Sequence, residues 1–103
     1  MMSRRDKIEQ MLHKEPDDVF LNFSYAMELA KEGETDRALA QFDRVTELDA
    51  SYSAAFYHKG NTLIGLGRSD EARAVLSEGV EVARRAGDDH ACREMQELLN
   101  SVG

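Results

Sequence analysis

A set of small, large and turn-forming residues recurs along this chain at a spacing of 34 residues. The matched pairs, later residue first, are Gly60 and Ala26, Gly67 and Gly33, Ala72 and Ala38, and Leu76 and Phe42. A fixed period in this range is the sequence signature of stacked supersecondary units. It predicts a helical repeat, and the alternative is a plain antiparallel helix bundle in which the spacing is coincidental.

Each matched residue has a physical reason to stand where it does. Gly33 and Gly67 can take the left-handed conformation that ends a helix. Gly60 and Ala26 lack bulk, so they let a helix approach its partner closely, and Gly79 suggests that the helix after it also comes close. The candidate caps of the helices that follow the turn glycines, each accepting a backbone N–H, are Thr35 or Asp36, and Ser69 or Asp70.

The spacing of apolar residues predicts six helices and no strand. The predicted helices lie near residues 4–14, 18–32, 36–48, 52–66, 69–85 and 88–100. Further candidate N-caps are Ser3 for the first helix, Asp17 or Asp18 for the second, and Asp88 or Asp89 for the last.

With these residues in place, the chain resembles the tetratricopeptide repeat family, whose unit is a helix–turn–helix with small and large residues at fixed positions. The resemblance covers Asp18 to Arg84 in full, and Ser3 to Pro16 as the second half of a preceding unit. It departs from the family pattern at Asn22, Ala50, Lys59 and Arg84. The resemblance implies an all-α solenoid of antiparallel helix pairs in a right-handed superhelical stack.

The whole chain, residues 1–103, is expected to form a single tetratricopeptide-repeat-like domain. Its parts are a helix at 3–14, repeats at 18–50 and 52–85, and a capping helix at 88–101. The last helix has an apolar stripe and a polar outer face, which is what the end of a helical stack needs.

Charge and composition narrow the class of partner. The net charge of −7 disfavours nucleic acid, because that binding depends on Lys and Arg at the phosphates. No stretch approaches the roughly 20 apolar residues of a membrane helix, and no signal peptide is visible. We therefore expect an acidic, cytoplasmic protein that binds neither nucleic acid nor membrane.

The sequence gives little indication of catalysis. His13, His58 and His90 do not stand at a recognised metal spacing, and nothing places a base beside Cys92. Gly65-Leu66-Gly67 lacks the preceding strand and following lysine of a phosphate loop. The expectation is that the protein is not an enzyme and uses no metal or cofactor.

The resemblance implies a binding surface, because the first helix of each family repeat lines a concave groove that holds a peptide or helix of another protein. The residues that this places toward the groove are Phe20, Phe23, Met27, Tyr57, Asn61 and Ile64. In the alternative, Phe20 and Phe23 pack as core against Ile8, Met11 and Leu12 of the first helix.

Some members of the family hold acidic chain termini with a clamp of Lys, Asn and Arg. The residues at the matching places here are Phe23, Met27, Ala54, His58, Asp88 and Cys92. The clamp is absent, which favours an apolar or mixed ligand over an acidic one.

Two functions of different class follow from these patterns. The first is an adaptor or scaffold module that binds another protein through the concave face. The second is a structural unit that associates with itself, for instance as a homodimer, through the exposed ends of a short stack.

Overall fold

The computed structural model describes residues 1–102, which form six α-helices and no strand. The helices are α1 (Arg4–Lys14), α2 (Val19–Lys31), α3 (Thr35–Leu48), α4 (Ser53–Gly65), α5 (Ser69–Arg85) and α6 (Asp89–Val102). Every predicted helix is present, and the predicted ends agree with the structure to within two residues. The prediction of an all-α fold is therefore confirmed.

The helices form two compact units. Unit 1 is Met1–Asp49, in which α1 packs on α2 and α2 packs on α3. Unit 2 begins at Ala50, and in it α4, α5 and α6 all contact one another. The division falls one residue before the predicted end of the first repeat. That the whole chain forms a single domain stays a prediction.

Two glycines allow the helices of unit 2 to meet. A Cβ atom on Gly60 would lie 2.5 Å from Cδ2 of Leu76, which is fully buried on α5. A Cβ atom on Gly79 would lie 2.5 Å from Sδ of Met95 and 2.7 Å from Cβ of Phe56. Because real Cβ atoms do not come so close, α4, α5 and α6 can pack in this way only with glycine at both places. The predicted close approaches are confirmed.

Unit 1 uses alanine where unit 2 uses glycine. Ala26 of α2 and Ala38 of α3 are fully buried. Leu29 of α2, and Phe42 and Val45 of α3, are also almost entirely shielded from water. The small and large residues that match at the repeat period therefore form the core of this unit.

Asn22 occupies a buried position of α2 where the family pattern has a large aromatic residue. Its side-chain nitrogen donates hydrogen bonds to the backbone oxygens of Pro16 at 2.9 Å and Asp18 at 2.8 Å. Its side-chain oxygen accepts a hydrogen bond from Gln41 of α3 at 2.6 Å. Asn22 therefore joins the α1–α2 connection to α3 by hydrogen bonds instead of apolar contact, and burial costs it little because its polar atoms are satisfied.

Ion pairs help to hold α1 against the rest of unit 1. The helix also contributes Ile8 to the buried core of this unit. The Arg5 guanidinium donates to Glu32 at 3.0 Å and also to Glu34. The hydrogen bond with Glu32 is the main reason that the pKa of Arg5 lies above its usual range. Arg37, and after it Arg5, lowers the pKa of Glu34. One carboxylate thus connects α1 with the start of α3.

Tyr25 extends this network. Its hydroxyl donates to Glu9 of α1 at 2.8 Å and accepts from Arg37 of α3 at 2.9 Å. Burial, and then the hydrogen bond with Glu9, raises the pKa of Tyr25. One α2 side chain therefore links the three helices of unit 1.

Several predicted helix ends are confirmed. Ser3 and Asp6 form a reciprocal capping box at α1. Asp18 accepts the backbone N–H of Leu21 at 2.8 Å. Gly33 and Gly67 have φ angles of 82° and 75°, the left-handed conformation that ends α2 and α4. At the last helix, Asp88 accepts from Ala91 N–H at 3.0 Å, so the first of its two candidate caps is used.

The predicted caps Thr35 or Asp36 for α3, and Ser69 or Asp70 for α5, are wrong. The residues at the N-cap positions are Glu34 and Arg68, and within the described chain neither makes a side-chain cap hydrogen bond. Thr35 and Ser69 are already the first helical residues, because each turn after its glycine is one residue shorter than a capping serine or threonine requires.

The close approach at Gly60 gives a stability prediction. Gly60→Ala should lower the free energy of unfolding by about 1–3 kcal/mol, because the new methyl group overpacks against buried Leu76. Gly65→Ala is the matched control in the same helix, since no atom lies within 4 Å of its added Cβ. It should leave stability unchanged or raise it by up to about 1 kcal/mol. Equal urea midpoints for the two variants would contradict the packing described here.

Candidate functional site

Unit 1 presents three of the predicted groove residues on one face of α2. Phe20, Phe23 and Met27 are three and four residues apart, so they lie along the same side of the helix. Phe20 is 67% exposed, whereas Phe23 and Met27 are half-buried. The ring of Phe23 lies 6.2 Å, centroid to centroid, from that of buried Phe42. Phe23 is thus partly a core residue, and Phe20 is a surface residue.

Unit 2 presents the other three residues on α4. Tyr57 and Ile64 are half-buried and pack against the core around Phe56, whereas Asn61 is exposed. The Tyr57 ring meets the imidazole of His58 edge-on, with 5.2 Å between the ring centroids. Asn61 therefore has the most freedom of the three to contact another molecule. No measurement tests a binding role for any of these six residues, and it stays a prediction.

A cavity of about 330 Å³ opens between α4 and α6 of unit 2. Its lining residues are Ser53, Ala54, Tyr57 and His58 from α4, and Asp88, His90, Ala91 and Glu94 from α6 and the residue before it. Tyr57 is the one predicted groove residue in this lining. Sequence reasoning did not propose the others as site residues, although Ala54, His58 and Asp88 stand at places that match the family's clamp.

The charges in this cavity are mostly negative. Asp88 and Glu94 supply carboxylates, and Glu94 Oε1 lies 3.2 Å from Nε2 of His90 in an exposed pair. Burial lowers the pKa of His58, and the charge of Glu94 opposes that effect. Lowering the pKa favours the neutral imidazole, so near neutral pH His58 adds little positive charge to the cavity.

Other candidates for chemistry do not converge. Within residues 1–102, no group of three or more His, Cys, Asp or Glu side chains is placed to hold a metal ion. Cys92 is half-buried and packs against the core of unit 2. Over the same residues, no helix is both long enough and apolar enough to span a membrane.

Comparison with known proteins places the fold. A tetratricopeptide repeat family model matches residues 29–97. The chain belongs to the tetratricopeptide repeat family. The TPR repeat-containing protein PA0015 of Pseudomonas aeruginosa is 30% identical to this chain over 92% of this chain and 90% of its own length.

Solved structures of this family have the same fold. A tetratricopeptide repeat domain protein from Salinibacter ruber is 33% identical, with a TM-score of 0.79 over 84% of this chain and 88% of its own. The TPR2B domain of yeast Sti1, solved as a pHsp70 complex, has a TM-score of 0.87 over 95% of this chain and 78% of its own, at 19% identity. At that identity the likeness is one of fold.

The different burial of the two phenylalanines of α2 predicts different effects of truncation. Phe23→Ala should lower the free energy of unfolding by about 2 kcal/mol, roughly half the cost of truncating a fully buried ring. Phe20→Ala should change it by less than about 0.5 kcal/mol, because the side chain is exposed. Urea unfolding of both variants measures the difference. A larger loss for Phe20→Ala would show that Phe20 is a core residue.

The half-buried imidazole of His58 predicts a pH effect on stability. The pKa of His58 is lowered in the folded chain, so the unfolded chain takes up its proton more readily. The contribution of neutral His58 to the free energy of unfolding is therefore fully present above the pKa of about 6.5 that histidine has in the unfolded chain. This contribution is lost as the pH falls through the lower pKa of the folded chain. His58→Gln should thus reduce the fall in melting temperature between pH 7.5 and 5.5.

His13→Gln, which removes an exposed imidazole of α1, is the control for this pH series. Identical pH dependence in the wild type and His58→Gln would contradict the role assigned to burial of His58.

Proposed function

We propose that this chain is a protein–protein interaction module that binds a peptide or helix of a partner protein in a partly apolar groove. The observation that carries the proposal is the row of Phe20, Phe23 and Met27 on α2, with Phe20 67% exposed. One apolar face is enough to pack a helix. On α2 that face is supplied by Ala26 and Leu29, so the exposed phenylalanine is surplus to folding.

The chemistry of the row suits an interface core. Aromatic residues and Met are enriched there. Phe20 supplies the exposed ring, while contact with Phe42 restrains Phe23 beside it. A partly fixed surface binds with less loss of freedom than a mobile one.

Unit 2 offers a more polar surface than the row on α2. Asn61 is exposed and can both donate and accept hydrogen bonds from an extended backbone. Tyr57 and Ile64 pack on the core, so their outer edges have fixed positions. We propose binding roles for Phe20, Phe23 and Met27 on α2 and for Tyr57, Asn61 and Ile64 on α4.

Family membership supports a binding role. The yeast Sti1 domain with this fold was solved in complex with pHsp70, and another protein of similar fold, YrrB, is described as having an unusual peptide-binding site. Because their identities to this chain are only 19% and 18%, these proteins support the view that the fold can hold a peptide. They do not identify a partner for this chain. A non-catalytic adaptor role and a cytoplasmic location remain part of the proposal.

Binding by Phe20 can be tested with a peptide selected by phage display on the purified chain. Phe20→Ala should lower the affinity for that peptide by about 30-fold, which is the effect of losing an interface anchor worth about 2 kcal/mol. Met11→Ala removes another exposed apolar side chain, on α1 and outside the proposed groove, and should change affinity less than about threefold. Equal losses for both variants would contradict the assignment of Phe20.

Self-association is the competing function, and the same purified chain tests it. Sedimentation at several concentrations should show a monomer, whether or not the peptide is present. A mass that doubles with concentration, together with failure to select any peptide, would favour a homodimer over the adaptor.

A further inference from the structure

The cavity between α4 and α6 combines apolar walls with an acidic edge. Ala54 and Ala91 are small, so they leave room for a ligand, and the half-buried ring of Tyr57 forms an adjoining wall. Asp88 and Glu94 supply the carboxylates. The described residues that line the cavity include no Lys or Arg. From this combination we infer that the cavity binds one cationic side chain, arginine or lysine, of a partner peptide.

Charge complementarity decides the kind of occupant. A guanidinium or ammonium group gains from two carboxylates, whereas an acidic group would be repelled by them. The apolar stem of arginine or lysine suits walls of alanine and tyrosine, and the charged head can also lie against the Tyr57 ring. The net charge of −7 on the whole chain also attracts basic segments from a distance.

Size limits the occupant to a single side chain. Pockets for small ligands range from roughly 300 to 1,000 Å³. At about 330 Å³ this cavity is at the lower end, so it admits one long side chain and leaves the rest of a peptide outside.

The carboxylates are positioned and yet accessible to a ligand. Asp88 Oδ1 accepts the backbone N–H of Ala91 at 3.0 Å, which fixes its direction at the start of α6. Glu94 pairs with His90, but the His90 side chain is 80% exposed and that of Glu94 is 50% exposed. Exposed pairs contribute little stability, so an incoming cation can replace the imidazole.

This inference rests on the proposed protein-binding function and specifies one chemical feature of the partner. It also explains why a clamp for acidic termini would fail here. At the matching places stand an acidic Asp88 and a largely neutral His58, which cannot attract an acidic terminus as the Lys and Arg of the clamp do.

The test is an NMR titration of the isotope-labelled chain with a capped alanine–arginine–alanine peptide. Saturable shifts are expected in the amides of residues 53–58 and 88–94. The neutral isostere, in which citrulline replaces arginine, should bind at least about tenfold more weakly, because the charge-assisted hydrogen bonds are lost. Absence of saturable shifts, or equal affinity for both peptides, overturns the inference.

A pair of double variants separates the site from general charge attraction. Asp88→Asn with Glu94→Gln removes both carboxylates and keeps a side chain that can cap α6. This double variant should lower the affinity for the arginine peptide by about tenfold. Glu78→Gln with Glu97→Gln changes the net charge equally at exposed positions outside the cavity, and should change affinity less than about twofold. Equal effects of the two double variants overturn the inference. Thermal unfolding checks that both variants fold.

The display experiment keeps this inference separate from the proposed function. Selected peptides that carry arginine or lysine and shift residues 53–58 and 88–94 support both. Selected peptides that bind without a basic residue leave the interaction module intact and overturn the cation site. Failure to select any peptide counts against the interaction module itself, whatever the arginine peptide does.

Discussion

Close approach of helices at residues without bulky side chains is the constraint on which both units depend. In unit 2, Gly60 admits Leu76 and Gly79 admits Met95 and Phe56 at distances that any Cβ atom would prevent. These contacts fill the space between three helices with large side chains that are almost fully shielded from water. Because an interior is packed at nearly crystalline density, even one added methyl group must displace a neighbour.

Unit 1 meets the same constraint with a different balance of forces. Ala26 and Ala38 allow α2 and α3 to pack, but part of the cohesion with α1 is polar. Arg5 reaches Glu32 and Glu34, and these groups are partly exposed. Exposed ion pairs are individually weak and are screened by salt. Attachment of α1 therefore depends more on solution conditions than does the apolar core of unit 2.

Most of the fold was predictable because its signals are local. A glycine at the left-handed position and an aspartate or serine before an apolar stripe refer to neighbours in sequence, as Gly33, Gly67 and Ser3 illustrate. The 34-residue period then repeats these local signals along the chain. The N-caps of α3 and α5 were missed because their turns are one residue shorter than expected. At α3 the N-cap position belongs to Glu34, whose carboxylate is engaged by Arg5, 29 residues earlier. No local pattern contains that partner.

The candidate site was less predictable for the same reason. Periodicity places Phe20 and Phe23 on one face of α2. It does not show that Phe23 contacts Phe42, 19 residues later, whereas Phe20 is exposed. The acidic cavity of unit 2 is likewise formed by residues some 30 to 40 positions apart in sequence.

The two surfaces differ in the interaction they can offer, and this difference bears on specificity. The α2 row offers apolar area, which favours many partners about equally because the hydrophobic effect is not directional. The α4–α6 cavity offers the carboxylates of Asp88 and Glu94, which discriminate between partners by charge. A carboxylate pair repels acidic segments as effectively as it attracts basic ones, and rejection of wrong partners is half of specificity. Affinity is thus expected to come mainly from Phe20, and selectivity mainly from Asp88 and Glu94.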